Sequence, residues 1–91
     1  MFLKDPQAVL EYRVDWAAAL EGGAGIVESE WRVEPVEDGG VVVASALVDG
    51  AEAGVRLGGG VAGHLYAVRN HVRFSDGTRD ERSLILRVEA R

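Results

Sequence analysis

The sequence contains no cysteine, so neither disulfide bonds nor thiolate metal sites can stabilise the fold. It has only two prolines, and no apolar run approaches the roughly 20 residues that cross a bilayer. Its start lacks the pattern of a signal peptide, because Lys4, Asp5 and Pro6 interrupt it early. We therefore expect no membrane partner and synthesis in the cytoplasm.

Basic residues are outnumbered by acidic ones, 10 against 15, which gives a net charge of −5. The arginines alternate with acids instead of forming the basic patch that phosphate binding requires, so we predict no nucleic-acid partner. With 91 residues, 47 % of them hydrophobic, the chain is predicted to form a single domain, 1–91. Residues 1–7 are predicted to be an extended lead-in, because Pro6 biases Asp5 away from helix.

Apolar residues alternate with polar ones along two runs near the end of the chain, separated by Ser75-Asp76-Gly77. This period of two indicates two strands with one buried face, joined as a β-hairpin. A three-residue loop would pair Tyr66 with Leu86, whereas a two-residue loop would bury Arg87. We therefore predict the longer loop, with Gly77 at positive φ.

Four further strands are predicted from composition and alternation, at residues 8–16, 26–34, 41–48 and 53–57. A short helical turn or an irregular crossing is expected over residues 17–21, with Leu20 tucked beneath the sheets. The inner face of the run 41–48 is left open, because Val41, Val43 and Leu47 compete with Val42, Ala44, Ala46 and Val48, and burial of both faces is a further interpretation. In the predicted strand 26–34, Val27, Trp31 and Val33 are expected to point inward. The predicted core consists of Tyr12, Trp16, Trp31, Tyr66, Val68, Leu84 and Leu86.

These elements predict an all-β protein, an immunoglobulin-like or fibronectin-type antiparallel β-sandwich of about six to seven strands. The pattern Gly63-x-x-Tyr66 at the start of a long strand resembles the tyrosine corner of such sandwiches, in which the hydroxyl turns back to a backbone group. The alternative is that Tyr66 is simply one more core aromatic.

We find no convergent reactive groups in the sequence, and predict no catalytic, cofactor-binding or metal-binding residues. His64 and His71 are an odd number of positions apart on the predicted strand, so they would face opposite sides. The glycine-rich residues 58–63 lack the Lys-Ser/Thr ending of a phosphate loop, and a flexible connection explains them better. Two other classes stay open: a sugar-binding or adhesive module with exposed Trp16 and Trp31, and a hydrolase with a perturbed acid in a pocket.

Four segments of the chain share their order and spacing with a known family. The segments are Lys4-Asp5-Pro6-x-Ala8-Val9-Leu10-x-Tyr12-x-x-Asp15-Trp16, Ser29-x-Trp31-x-Val33, Leu57-Gly58-Gly59-Gly60-x-x-Gly63-x-x-Tyr66-x-Val68-x-Asn70-x-Val72 and Asp76-Gly77-x-x-Asp80-x-Arg82-Ser83-Leu84-x-Leu86-x-Val88. Together they resemble the phage fiber-tail adaptor family, which is encoded in tailed phages, prophages and gene-transfer agents. Three alanines stand at residues 17–19, where many members carry a second tryptophan. The resemblance implies a non-enzymatic structural protein of a virion tail that contacts tail and fibre components, is present in the host cytoplasm during assembly and then resides in the tail.

An adaptor must bind neighbours on more than one side, so we predict partner contacts at the lead-in and at two glycine-rich loops, residues 22–25 and 58–63. Phe2 and Leu3 are apolar without an evident place in the core. Other virion proteins are the expected partners, together with further copies of the chain in the assembled particle. The predicted contact residues are Phe2, Leu3, Lys4, Asp5, Gly59 and Gly60; the predicted structural ones are Tyr12, Trp16, Trp31, Tyr66 and Gly77.

Overall fold

The computed structural model describes residues 1–20 and 22–90 and shows an all-β protein. Within these residues a short 3₁₀ turn, Ala17–Ala19, is the only helical element, and no helix is long and apolar enough to span a membrane. Glu21, at the end of the predicted helical turn, and Arg91 lie outside the described residues. The strands are β1 (Phe2–Lys4), β2 (Leu10–Asp15), β3 (Ile26–Glu34), β4 (Val42–Asp49), β5 (Glu52–Gly58), β6 (Leu65–Phe74) and β7 (Arg79–Val88).

The strands form two sheets, one of four strands in the order β1-β7-β6-β3 and one of three in the order β2-β5-β4. This order corresponds to the two sheets of an immunoglobulin-like sandwich, with the first strand placed beside the last. The predicted fold class is therefore confirmed. One detail differs, because β1 pairs with β7 in parallel, so the lead-in is a strand of the sheet and the sandwich is not wholly antiparallel.

The β6–β7 hairpin has the predicted register, with Tyr66 opposite Leu86 and Val68 opposite Leu84. Its three-residue loop closes with the Phe74 amide donating to the Thr78 carbonyl at 2.8 Å. Gly77 has a φ of 91°, a conformation that costs little only for glycine. The apolar parity of the two runs therefore sufficed to fix this pairing.

The core lies between the sheets and contains the predicted residues. Trp16, Tyr66, Val68 and Leu86 are fully buried, while Tyr12, Trp31 and Leu84 are partly buried and pack against them. Leu20 packs beside Trp16, as expected for the short turn after β2.

The inward set predicted for β3 is wrong at Val27. A β-bulge shifts the register between Ile26 and Glu28, so Val27 is half exposed and Ile26 packs against the core in its place. A bulge inserts one extra residue and thereby moves the following side chains to the other parity. Trp31 and Val33, which follow the bulge, point inward as predicted.

Burial of both faces of the run 41–48, one of the interpretations left open by the sequence, is also wrong. All eight residues of β4 are exposed, and only Val41, just before the strand, is buried. The physical reason is position, because β4 pairs only with β5 and forms an edge of the three-stranded sheet. High β-propensity identified the strand but could not tell a central strand from an edge.

Candidate functional site

The lead-in is held against one end of the sandwich by Lys4. The Lys4 Nζ donates hydrogen bonds to the carbonyl oxygens of Gly59 at 2.6 Å and of Asp5 at 2.9 Å, and this residue is only 1 % exposed. Burial lowers the pKa of the Lys4 ammonium, and the charge of Asp5 opposes that lowering. Lys4 is therefore enclosed by its own chain, whereas the sequence had placed it among the contact residues.

The apolar side chains at this end of the molecule are exposed on both faces of β1 and beside it, and we call them together the lead-in surface. Leu3 of β1 and Leu65 of β6 both lie opposite Arg87 of β7, so they share the outer face of the four-stranded sheet. Ile85 lies two residues before Arg87 on that same face. Phe2 faces the other way and packs edge-on against the Tyr12 ring at a centroid distance of 5.5 Å. The lead-in surface consists of Met1, Phe2, Leu3, Leu65 and Ile85, all more than 40 % exposed.

The loop 58–63 lies beside the lead-in and is closely packed at Gly59 and Gly60. Gly59 has a φ of 71°, and a Cβ there would lie 2.5 Å from the carbonyl oxygen of Gly40. A Cβ on Gly60 would lie 2.6 Å from a methyl group of Val88. These glycines are therefore required by the close approach of the backbone. Whether they also contact a partner stays a prediction.

Tyr66 joins this loop to the β3–β4 connection. Its hydroxyl accepts a hydrogen bond from the Val61 amide at 3.0 Å, which confirms the predicted tyrosine corner. The same hydroxyl donates to Glu37 Oε1 at 2.5 Å, and His64 Nδ1 lies 2.8 Å from that oxygen. The hydrogen bonds from Tyr66 and His64 lower the pKa of Glu37. Burial raises the pKa of the Tyr66 hydroxyl, and its hydrogen bond to Glu37 raises it further. Glu37 was not singled out from the sequence.

The other predicted contact loop, residues 22–25, lies at the opposite end of the molecule. The Ser75 amide donates to the Gly25 carbonyl at 2.8 Å, and the Gly25 amide donates to Ser75 Oγ at 2.9 Å, so this loop is tied to the β6–β7 hairpin loop. The ten residues of β6 separate it from the lead-in end by about 30 Å. The structure thus brings the lead-in and loop 58–63 together and places loop 22–25 apart from them.

A third exposed feature is β4 itself, which we call the β4 edge (Val42–Asp49). Val42, Val43, Leu47 and Val48 are each at least 40 % exposed. The only charged residue of the strand is Asp49, at its end. Apolar side chains are exposed on both faces of this edge, since residues of both parities contribute.

The outer face of the four-stranded sheet is, by contrast, charged over most of its area. An open depression of about 380 Å³ lies there, and Arg73 donates to Glu28 across it at 2.7 Å. That pairing lowers the pKa of Glu28 and raises that of Arg73. Among the described residues, no group of three or more potential ligands could hold a metal ion. The depression is lined by Glu28, Glu30, Arg32, His71, Arg73, Arg79 and Glu81.

The comparison with protein families matches residues 4–87 to the family model of the podophage GP4 fiber-tail adaptor protein gp77. The chain belongs to this family. The adaptors are structural proteins of the phage virion tail, which agrees with the resemblance carried by the sequence motifs. No curated protein matches the chain.

The match to the adaptor family begins at the buried Lys4, so it includes the residue that anchors the lead-in but excludes Met1, Phe2 and Leu3. It also includes Asn70, whose structural role was not predicted from the sequence. Asn70 is fully buried, accepts a hydrogen bond from Trp16 Nε1 at 2.9 Å and donates to Ser29 Oγ at 2.9 Å. A polar residue on the apolar parity of β6 was the available signal.

The tryptophans do not form an exposed sugar-binding pair. Trp16 is fully buried, bonded to Asn70 and packed edge-on against Phe74, and Trp31 is partly buried in the core. The predicted core role is therefore confirmed for both indoles, and the sugar-binding alternative loses the feature that it required.

Proposed function

We propose that this adaptor joins a tail component to a fibre component by protein–protein contacts made at the two ends of the sandwich, without catalysing a reaction. The observation that carries the proposal is the separation of the candidate contact elements. The lead-in surface and loop 58–63 lie at one end, and loop 22–25 lies at the other, in a domain 44 Å long and about 20 Å wide. A molecule that binds two different neighbours needs two such separated surfaces.

The lead-in surface is the better defined of the two contacts. Its apolar side chains stand beside the charged remainder of the outer face, and burying them against a neighbour would release water from apolar area. Lys4 and its carbonyl partners hold β1 in place, so Leu3 is already positioned before any partner binds. A preorganised surface loses less conformational freedom on binding.

The assembled adaptor would surround the tail in several copies, while the isolated chain is a monomer or a weak oligomer. The net charge of −5 opposes close approach of many copies in solution, and the tail component would supply the contacts that overcome this repulsion. On this proposal the chain is present in the host cytoplasm during assembly and then in the virion tail.

The test is the double variant Leu3→Asp/Leu65→Asp, introduced into the intact phage or transfer-agent locus. Both side chains are exposed, so the purified variant should keep the far-UV circular dichroism and melting temperature of the wild type. Particles carrying it should lack fibre or tail components and lose infectivity. Arg32→Asp, at an exposed position in the middle of β3 opposite Arg69, changes the net charge by the same two units as the double variant and is the matched control, which should leave particles unchanged.

Purified particles would be assayed for adaptor content, fibre content and infectivity. If a folded double variant gave particles with normal composition and infectivity, the lead-in surface would not be a contact. If Arg32→Asp had the same effect as the double variant, the loss would reflect the added negative charge and not a contact at the lead-in end.

A further inference from the structure

The seam between β7 and β2 is open along one side of the sandwich. β1 pairs only with residues 86–88 of β7, and within the described residues no strand lies beside the preceding part of β7, residues 79–85. β2 is likewise the outermost strand of the other sheet. Both sheets therefore end along this seam, and β1 covers one end of it.

The backbone of β7 is unpaired along this open side. The Val88 amide donates to the His64 carbonyl at 3.1 Å, and the Gly63 amide donates to the Val88 carbonyl at 2.7 Å, so Val88 directs its backbone groups toward β6. In an antiparallel pair this direction repeats at every second residue. Ser83 lies an odd number of residues before Val88, so its N–H and C=O point toward the open side. These groups can be paired by an added strand.

Charge confines the open side to a short stretch next to β1. Residues 79–82 read Arg-Asp-Glu-Arg, and charged side chains discourage an added strand. The next three residues, Ser83, Leu84 and Ile85, are uncharged, and β1 begins directly after them, beside Leu86. A strand added at this stretch would continue the row that β1 starts.

A cavity of about 270 Å³ lies in the seam beside this stretch. At one end of it, Phe2 packs edge-on against Tyr12 of the other sheet. At the other end, the Arg82 guanidinium lies 4.5 Å from the centre of the Trp16 ring and donates to the Asp15 carbonyl at 2.8 Å. These two contacts connect the sheets on either side of the cavity.

The register of β1 shows which group would fill the cavity. Phe2 lies opposite Leu86 and faces inward, so the next inward position along this edge is opposite Leu84. β1 begins at Phe2, and Leu84 itself lines the cavity together with Val14 and Trp31. An apolar side chain placed there would cover these apolar walls and leave water, which is favourable.

We propose that the occupant of this site is an extended segment of another virion protein, which pairs with Ser83 and inserts one large apolar side chain beside Leu84. The unpaired backbone groups are matched by another backbone, and the cavity is matched by an inward side chain on it. Strand addition of this kind takes its affinity from main-chain hydrogen bonds and its specificity from a side-chain pocket. The site is a further contact beyond those proposed above, because it uses neither Leu3 nor Leu65.

The first test extends the N-terminus of the isolated chain by Thr-Thr-Thr-Leu. In the register of β1 this leucine, placed directly before Met1, lies opposite Leu84 and faces the cavity. Hydrogen exchange of the Ser83 and Ile85 amides, which the added strand would pair, should slow by about tenfold or more. The control extension Thr-Thr-Leu-Thr has the same composition but turns its leucine outward, so it should slow these amides much less. Equal exchange rates in the two extended chains would overturn the proposal.

The second test is Ser83→Pro in the intact phage or transfer-agent locus. Proline removes an amide that faces the open side, whereas the ladder to β6 uses the backbone groups of Arg82 and Leu84. The purified variant should therefore keep the far-UV circular dichroism of the wild type, while its particles should lose a tail or fibre component and infectivity. Ser83→Ala retains the amide and is the matched control, for which normal particles are expected.

If Ser83→Pro proves to be unfolded, the chain extended by Thr-Thr-Thr-Leu serves in its place. Its own leucine fills the cavity and should exclude the partner segment, so its particles should be less infectious than those of the Thr-Thr-Leu-Thr chain. Normal particles from a folded Ser83→Pro chain, or equal infectivity with the two extended chains, would overturn the proposal.

Discussion

β3 and β4 contact each other along one side of the sandwich, yet their side chains are arranged in opposite ways. β3 alternates, with Trp31 and Val33 in the core and charged residues outside. β4 is apolar on both parities and exposed throughout. The difference shows that burial is set by pairing and position and not by hydrophobicity alone. It also shows that one edge is protected against contacts while its neighbour is left open to them.

The largest expected effect comes from removing the buried amide of Asn70, which lies on β6 beside β3. Asn70→Ala should lower the free energy of unfolding by about 3 kcal/mol, because it leaves Trp16 Nε1, Ser29 Oγ and the Glu30 carbonyl without their bonds to this side chain. Ser45→Ala on the exposed β4 should change it by less than about 0.5 kcal/mol. Urea unfolding of both variants measures the comparison, and equal losses would contradict it.

A smaller loss is expected where loop 58–63 meets the β3–β4 connection. Gly59→Ala should cost about 2 kcal/mol, because it combines a positive φ with a Cβ placed 2.5 Å from the Gly40 carbonyl oxygen. Gly77→Ala should cost only about 1 kcal/mol, since that position has a positive φ but open space. Gly77→Asn should cost less again.

Thermal or urea unfolding ranks these glycine variants. If Gly59→Ala were no more destabilising than Gly77→Ala, the close contact between the loop and the β3–β4 connection would not hold in solution.

Glu37 in the β3–β4 connection should make stability depend on pH. Its pKa is lowered below the ordinary 4.5 by hydrogen bonds from Tyr66 and His64, so its stabilising contribution is present above pH 4.5 and is lost as the pH falls through the lowered value. Glu37→Gln should be less stable than the wild type at neutral pH, and the difference should shrink in acid. Melting temperatures of Glu37→Gln and the wild type are measured from neutral to acid pH. Their difference would stay constant with pH if the Glu37 carboxylate made no hydrogen bonds to Tyr66 and His64.

The smallest effect is expected on the outer face of β3. The nearest ion-pair partner of Glu30 is Arg32, at 3.9 Å, and both side chains are more than half exposed, so solvent screens the pair. Glu30→Ala should change the free energy of unfolding by less than about 0.5 kcal/mol. A larger loss in urea unfolding would mean that the charged face stabilises the fold, and is not merely a protected edge.

Local patterns in the sequence predicted much of the fold. The alternation around Ser75-Asp76-Gly77 fixed the β6–β7 register, and β3 was placed with its observed bounds. Patterns of period two could not show the bulge that turns Val27 outward, because one extra residue shifts the parity without changing the composition. They could not show the exposure of β4 either, because edge position is a property of the whole sheet.

The candidate site was less accessible to sequence reasoning. The lead-in and loop 58–63 were both singled out, but the Lys4–Gly59 hydrogen bond that joins them spans 55 positions along the chain. Leu65 and Ile85 lie beside Leu3 only because β1 pairs in parallel with β7. Glu37 was not singled out at all, because its contact with Tyr66 depends on the fold of two separate loops.

The most direct test compares hydrogen exchange in the isolated chain with hydrogen exchange of the chain in purified particles. This comparison asks whether the contacts use the exposed apolar surfaces and avoid the charged β3 edge. Amides of the lead-in, the start of β6 and the β4 edge should exchange more slowly in the particle than in dilute solution. Amides of β3 should keep their rates. Protection gained along β3, with unchanged exchange at the lead-in and the β4 edge, would contradict this assignment of the contact surfaces.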